Sequence, residues 1–478
     1  DRLRSRGLGD VYKRQVIWRC RKMKRGKLEF VWSYYFDHTT MEQHFEKMAG
    51  KGWALDRMGI FWHYHRIEPK PLHYAVGYFP GGGVYAPPTG EELTFEEYCE
   101  MAGWELVAEH GPMKIFCNER ENPVPLETQA DLQVENIRRG SRRFRIADGV
   151  LGGIGWLIVI YFILSLYFDG VRTLSGGTGL TLTFMGLMLG IYGVVEFITY
   201  QRWYRKAKVN AQRDQSFTPT KGHPAASKII IWLTIAAAIF YASTAGKILV
   251  LLILVGYWIV YYLQDIIRNG MRDKGISTVV NIGINFGIAF FIFFFVINGY
   301  RHLLSSDAED YYGNYYENYY EKNGFHWDGQ ENPLTLQELA GPEFDGKGYI
   351  DTQNIQSSVF LSRMEIEQFY DEVLSGAGGD PGYYMEYVVA KVKLEPLYGF
   401  IRSSMERTYG SGENWKSMDS WKKGEKGVLQ IRQTEFSRKG QKIYRYLICM
   451  KDRIVKIDLS FAPDKVQQEK IVETLGKI

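Results

Sequence analysis

The chain has 478 residues, of which 46% are hydrophobic and 15% aromatic, and its formal net charge is +4. That is too apolar for a disordered chain and too nearly neutral for a nucleic-acid binder, and the length leaves room for several folded units. Four cysteines, Cys20, Cys99, Cys117 and Cys449, form no C-x-x-C pair and are too sparse for a disulfide framework, so no metal or redox centre is expected from them.

Residues 1–22 are set apart as a non-native or disordered leader. Asp1–Gln15 has no periodicity, and its GLGDVYKRQ resembles a translated sequencing-adapter remnant, which places the expected start at Met23. Residues 23–122 predict an α+β domain. Lys27–Tyr35 alternates as a strand, and Thr39 with Glu42 offers a capping box to a helix ending at Gly50; Trp53–Gly59 and Ile60–Ile67 then form a hairpin. The same order returns after Pro69 and Pro71. Leu72–Phe79 is a strand, Thr94 with Glu97 caps a helix to Ala102, and Trp104–Glu109 and Met113–Asn118 are strands. Met48-Ala49-Gly50 with Trp53 matches Met101-Ala102-Gly103-Trp104, so the expectation is a duplicated β-α-β-β unit forming one six-stranded antiparallel sheet. Pro80–Glu91, rich in Gly and Pro, is expected as a mobile loop. His63 and His65 share a strand face, with His44 and His73 within reach, but no carboxylate or Cys stands at ligand spacing. They are expected as half-exposed aromatic-sheet residues, with no metal bound.

Residues 123–147 read as a basic linker. Residues 148–299 then carry five apolar segments, at about 149–168, 180–200, 228–242, 248–263 and 275–296, each near the roughly 20 residues that cross a bilayer. Arg138, Arg139, Arg142, Arg143 and Arg145 precede the first, Arg202, Arg205, Lys206, Lys208 and Arg213 follow the second, and Arg268, Arg272 and Lys274 follow the fourth. The connections 169–179 and 243–247 are poor in charge. Positive flanks stay inside, so the N-terminus is expected in the cytoplasm and the C-terminus outside. Midplane charge is almost lacking: Glu196 and Asp265 sit near span ends, and Asn281 and Asn285 are expected as hydrogen-bonding residues between helices. Gly149 with Gly153, Gly186 with Gly190, and Gly283 with Gly287 have the spacing for close helix contact.

Residues 300–478 predict an outer α+β domain. Tyr311, Tyr312, Tyr315, Tyr316, Tyr319 and Tyr320 draw an aromatic stripe on a helix. Gly348–Arg363 reads as loop and strand, Arg363–Val373 as a helix, Gly376–Gly382 as a flexible loop, Tyr383–Val392 as a strand and Pro396–Thr408 as a helix. Val428–Glu435, Lys442–Met450 and Ile454–Phe461 form a meander, closed by a helix from Pro463 to Leu475. No nucleophile elbow, P-loop, H-E-x-x-H or paired-carboxylate spacing is present, so no catalytic residue, cofactor or metal ligand is assigned. Lys422, Lys423, Lys426, Arg438, Lys439 and Lys442 form a basic surface that reads as solvated strand and loop.

Trp32–Asp37, Phe45-Glu46, Met48-Ala49, Gly52-Trp53 and Ala102-Gly103-Trp104-Glu105 resemble the bacterial family of unknown function 2812, and Tyr446–Cys449 with Asp452–Val455 is similar to outer domains of its longer members. The resemblance implies a cytoplasmic domain ahead of several membrane spans. It also implies neighbouring PadR-like regulators, a hint of stress or drug response, and supplies no catalytic residues. The expectation is therefore a multi-pass protein of the bacterial cell membrane, a sensor or interaction scaffold rather than an enzyme. Its expected partners are the lipid bilayer, a cytoplasmic regulatory partner, a cell-wall or small-molecule ligand outside, and a further copy of itself. A transport or export component in resistance to membrane-active compounds is the alternative, and a hydrolase outside the membrane a third.

Overall fold

The structure is a computed structural model that describes residues 26–30, 35–59, 61–222, 225–244, 248–309, 325, 332–341, 344, 349–370, 382–410, 415–418, 427–438 and 440–478. Met23, Cys20, Trp32, the tyrosine stripe at 311–320, most of the 376–382 loop, and Lys422, Lys423, Lys426 and Lys439 lie outside those residues. The chain divides into two compact units, residues 1–154 with 188–300 and residues 155–187 with 301–478.

The first unit begins with β1 (Gly26–Phe30), α1 (His38–Gly50), β2 (Trp53–Arg57) and β3 (Phe61–Arg66), then β4 (His73–Tyr78), α2 (Gly90–Met101), β5 (Glu105–His110) and β6 (Met113–Asn118). The β-α-β-β order occurs twice, and each half makes its own antiparallel sheet, β1-β3-β2 and β4-β6-β5. The halves agree in detail. The register slips between Leu55 and Arg57 in one and between Leu106 and Ala108 in the other. Gly52 and Gly103 have φ of 81° and 92°, where a Cβ would be strained, and each follows a helix end. Arg66 donates to the Lys51 carbonyl at 3.1 Å, and Arg120 donates to the Ala102 carbonyl at 3.3 Å, so a guanidinium closes both helices.

The single six-stranded sheet expected from the sequence does not form. In β4, an edge strand, the outward N–H groups of Val76 and Tyr74 donate to Glu42 at 2.9 Å and Glu46 at 3.4 Å, two carboxylates one turn apart on α1. An edge whose donors are spent on a helix offers no ladder to another strand. The same contact overturns the Thr39–Glu42 capping box, since Glu42 points to β4 and α1 has Asp37 at its N-cap with no side-chain cap bond. The second helix also starts earlier than expected: Thr89 and Glu92, not Thr94 and Glu97, make the reciprocal cap. Phe45, Met48, Trp62, Tyr64, Tyr74 and Ile115 fill the core around α1, while Cys99, Trp104 and Phe116 pack beneath α2.

The stretch expected as a basic linker contains α3 (Ala130–Gly140), whose Ile137 is buried in that core. Five long helices follow, with one short one among them: α4 (Arg142–Phe168), the short α5 (Gly170–Ser175), α6 (Gly177–Asp214), α7 (Ala225–Thr244), α8 (Ile248–Asp273) and α9 (Thr278–Glu309). They stand where five spans are expected, but among the described residues only α4 and α6 are long and apolar enough to cross a membrane. Ser227–Ile239 and Thr278–Ile292 are shorter apolar runs. α4 and α6 touch closely, at Gly186 of the expected pairs and at Gly152 and Gly193, which the expected spacing does not include. A Cβ on Gly152 would lie 3.0 Å from Gly193 Cα, and one on Gly186 would lie 3.0 Å from Ile158, whereas nothing stands within 4 Å of Gly149, Gly153, Gly283 or Gly287.

The second unit holds α10 (Leu336–Ala340), β7 (Tyr349–Ser357), β8 (Leu361–Tyr370), β9 (Met385–Val392), α11 (Tyr398–Tyr409), β10 (Lys416–Ser417), β11 (Val428–Arg438), β12 (Gln441–Met450), β13 (Arg453–Leu459) and α12 (Lys465–Lys477). Its seven strands form one antiparallel sheet in the order β10-β11-β12-β13-β9-β8-β7. The helix expected from Arg363 is strand β8 instead. Met364 and Ile366 alternate with Arg363, Glu365 and Glu367, a period of two that outweighs the helix preference of Met, Glu and Gln. One face of the sheet packs Ile366, Tyr387, Ile448 and Ile457 against Ile471 and Leu475 of α12. The other face is apolar at one end only, where Val388, Leu447 and Ile454 meet Val171 and Leu174 of α5 and Ile401 and Met405 of α11.

Candidate functional site

Two clusters of buried charge stand out, one in each unit. In the first unit Lys114 of β6 is fully buried beneath α2. Its Nζ lies 2.7 Å from Glu92, 2.6 Å from Glu96 and 2.9 Å from Glu109. Glu92 and Glu96 are one turn apart on α2, and Glu109 is the cross-strand partner of Lys114 on β5. Arg272, from the end of α8, completes the cluster. Its Nη1 meets Glu109 at 2.6 Å, its Nη2 meets Glu92 at 3.1 Å, and its Nε donates to the Ala86 carbonyl at 2.9 Å. Burial alone would lower Lys114, but Glu109, Glu96 and Glu92 outweigh it and hold the ammonium above its ordinary value. Burial would likewise raise Glu109, and Lys114 and Arg272 turn the shift downward.

Glu92, Glu96 and Glu109 are, among the described residues, the one group whose carboxylates lie close enough to share a metal ion. The Lys114 ammonium already occupies the position between them, so the donor set does not fit a resident cation. The histidines considered in the sequence are engaged separately. His44 lies 3.5 Å from Glu29 and His73 lies 3.6 Å from Glu46, and Arg57 donates to His63 Nε2 at 2.8 Å. The segment 80–91, expected to be mobile, is held by α8 and α9. Arg272 takes the Ala86 carbonyl, and Asn281 donates to the Tyr85 carbonyl at 2.9 Å as well as to Arg268 O at 3.1 Å. Asn285 donates to Asn281 O, also at 2.9 Å.

The second cluster lies on the charged end of the seven-stranded sheet, around an open cleft of about 640 Å³. Arg445 of β12 grips Asp458 of β13 bidentately, at 2.8 and 2.7 Å. Lys456 Nζ lies 2.9 Å from Asp458 and 2.7 Å from Glu386 of β9, ion pairs by distance without the angle of a hydrogen bond. Burial would raise Glu386, and Lys456 holds it below its ordinary value instead. Tyr384 OH donates towards Glu386 at 2.8 Å and Glu367 at 3.1 Å. Burial and these two carboxylates raise its pKa, so the phenol stays a donor. Arg363 pairs with Glu365.

The last contact shows the shape of this surface. Arg438 of β11 reaches Glu367 of β8 at 3.1 Å, although β12, β13 and β9 lie between them in the sheet. Four strand spacings span roughly 19 Å on a flat sheet, beyond what an arginine and a glutamate bridge together. The sheet therefore curls, and the cleft is its concave side. The sequence reading missed this site because it took β8 as a helix, which placed Glu365 and Glu367 on no common face. Of the basic surface residues considered there, Arg438 lines the cleft, and Lys442 pairs with Glu435 at 2.7 Å.

Residues 37–147 match the family described as protein of unknown function, DUF2812. That segment belongs to the family. The match covers well under half of the chain, and it takes in α3, whose Ile137 is buried in the first unit's core, and reaches the start of α4. No curated protein and no solved structure matches the chain. The DUF2812 segment contains Glu92, Glu96, Glu109 and Lys114, whereas Arg272 and the whole concave face lie outside it.

Proposed function

We propose that this DUF2812-containing chain is a five-span bacterial membrane protein whose outer, cleft-bearing unit is coupled to a cytoplasmic unit, as a sensor or interaction scaffold. The carrying observation is how each unit, taken by itself, holds the connections between helices. The second unit buries Val171 and Leu174 of the charge-poor 169–179 connection in its own core, where Gly170 N donates to Ser404 Oγ at 2.9 Å. The first unit instead takes up the arginine-rich ends. Arg145 lies over the Tyr200 ring at 3.8 Å, and Arg272 enters the glutamate cluster. The partition is the one the positive-inside rule assigns to outside and inside. A domain that buries a span connection in its core cannot rearrange without moving those spans, which is what coupling needs.

Single cysteines at Val466 and Met101, both strongly exposed, test the threading, with Cys20 and Cys117 replaced by serine. A membrane-impermeant thiol reagent added to intact cells should label Val466→Cys and spare Met101→Cys. Labelling of both or the reverse pattern sinks it. The expected spans carry almost no charge near their midpoints, which gives no support to a transport path. Solute flux through the purified protein in liposomes would put transport or export in place of the scaffold.

A further inference from the structure

We infer that the concave face of the seven-stranded sheet is a binding site for a neutral, polyhydroxylated ligand, a glycan. This rests on the proposed outer placement only for where the glycan would be met. The volume of about 640 Å³ lies within the range of small-molecule sites. The chemistry of its wall selects the class. Every carboxylate on the face has an arginine or lysine within ion-pair distance, so positive and negative groups balance and the face has no net field to concentrate an ion. What remains is a dense alternation of fixed acceptors and donors, which a ring of hydroxyls, each both donor and acceptor, can match. A cation or an anion would have to break one of these pairs to bind, and where the pair involves Asp458 or Lys456 the partner is left buried and unmatched.

One aromatic ring adds to this. Phe436 is partly exposed in the cleft, with Arg445 4.3 Å from its ring, whereas Tyr384 is buried under Arg438 and contributes its hydroxyl rather than its face. Sugar rings expose patches of C–H that pack on such surfaces while their hydroxyls reach polar neighbours. The site is also preorganised: its groups come from six neighbouring strands of one sheet rather than from loops, so little ordering is left to binding.

Calorimetric titration of the full-length protein in nanodiscs tests the assignment, with an array of neutral oligosaccharides, spermidine, inorganic phosphate and tetra-alanine as probes. Saturable binding of a neutral oligosaccharide is expected, and Phe436→Ala and Glu367→Gln should each weaken it by about tenfold or more, roughly 1.4 kcal/mol. Both positions are partly exposed, and an unchanged unfolding midpoint shows that the fold is kept. Arg438→Gln replaces either variant if its midpoint falls. Binding of spermidine, phosphate or the peptide at the same residues, or no binding by any neutral glycan, overturns the assignment. A fluorophore on Met101→Cys separates this from coupling. Glycan binding with a silent fluorophore breaks the coupling and leaves the ligand class, whereas a response to a different probe breaks the class and leaves the coupling.

Discussion

Lys114 and Lys456 are both buried on antiparallel sheets, and both lie against carboxylates, yet their surroundings differ in one respect that decides their use. Lys114 has three glutamates around its ammonium and a helix above it, and Arg272 satisfies two of the same carboxylates from a second element. Nothing is left over for a ligand. Lys456 has Glu386 and Asp458 on one side and the Tyr409 ring 5.0 Å away, and it is these two carboxylates that line the open cleft, where water and a solute can reach Glu386. The same pairing of charges thus gives a fastening in one unit and a surface for recognition in the other. A structural cluster is closed by its own residues, and a binding cluster is balanced but unfinished.

Breaking the closed cluster should have the largest effect. Lys114→Met leaves three carboxylates with Arg272 alone, and removal of one partner from a buried ion pair costs about 3–5 kcal/mol. The purified protein should show an early unfolding transition of the first unit in circular dichroism. A midpoint within a degree or two of the parent would mean that the cluster is not sealed from water. Arg272→Gln comes next, at about 2–3 kcal/mol, because Lys114 still serves Glu92 and Glu109. Its distinctive result should be protease cleavage in the 80–91 segment, since the Ala86 carbonyl loses its donor. Lys456→Met should cost less, about 1–2 kcal/mol, because Asp458 keeps Arg445 and water can reach Glu386. A loss as large as that of Lys114→Met would show the second cluster to be as closed as the first and would remove the contrast.

Much of the first unit was legible because its period was unmistakable. The recurrence of Met-Ala-Gly and Trp set the two β-α-β-β halves, and the left-handed Gly52 and Gly103 follow from it. What could not be read was how the halves meet. Glu42 reads as half of a capping box with Thr39, with Glu46 one turn further on, and only the folded chain shows the two carboxylates occupying the edge of β4. The concave face was hidden for a different reason. MEIEQ carries helix-favouring Met, Glu and Gln on a strand period of two, and a period misread at β8 scatters every charge that the strand aligns. Arg438 and Glu367 are also brought together by curvature of the sheet, which no local pattern encodes.

A final and smaller effect sharpens the comparison within the first unit itself, where Glu42 is buried like Glu109 but has no cation beside it. Burial raises Glu42 to about 7, against the Val76 hydrogen bond and with Glu46 adding to the rise, and burial also lifts Glu127 to about 7. Both groups bind their proton more tightly in the folded chain than in the unfolded one, where the ordinary value is 4.5. Between those values the folded state holds more protons, so stability falls as pH rises from about 4.5 to about 7 and levels off above. Glu109, held low by Lys114 and Arg272, has the opposite sign, and its contribution is lost only when acid protonates it. Partial access to water reduces the Glu42 and Glu127 effect to about 1 kcal/mol. His38, His44, His63 and His110, which burial holds below their ordinary value, pull the other way below about pH 6.5, so the test is a difference: the midpoint of Glu42→Gln with Glu127→Gln should gain on that of the parent as pH rises from about 5 to about 8. A difference that stays constant or shrinks over the interval would mean that Glu42 and Glu127 do not set the pH response of the first unit.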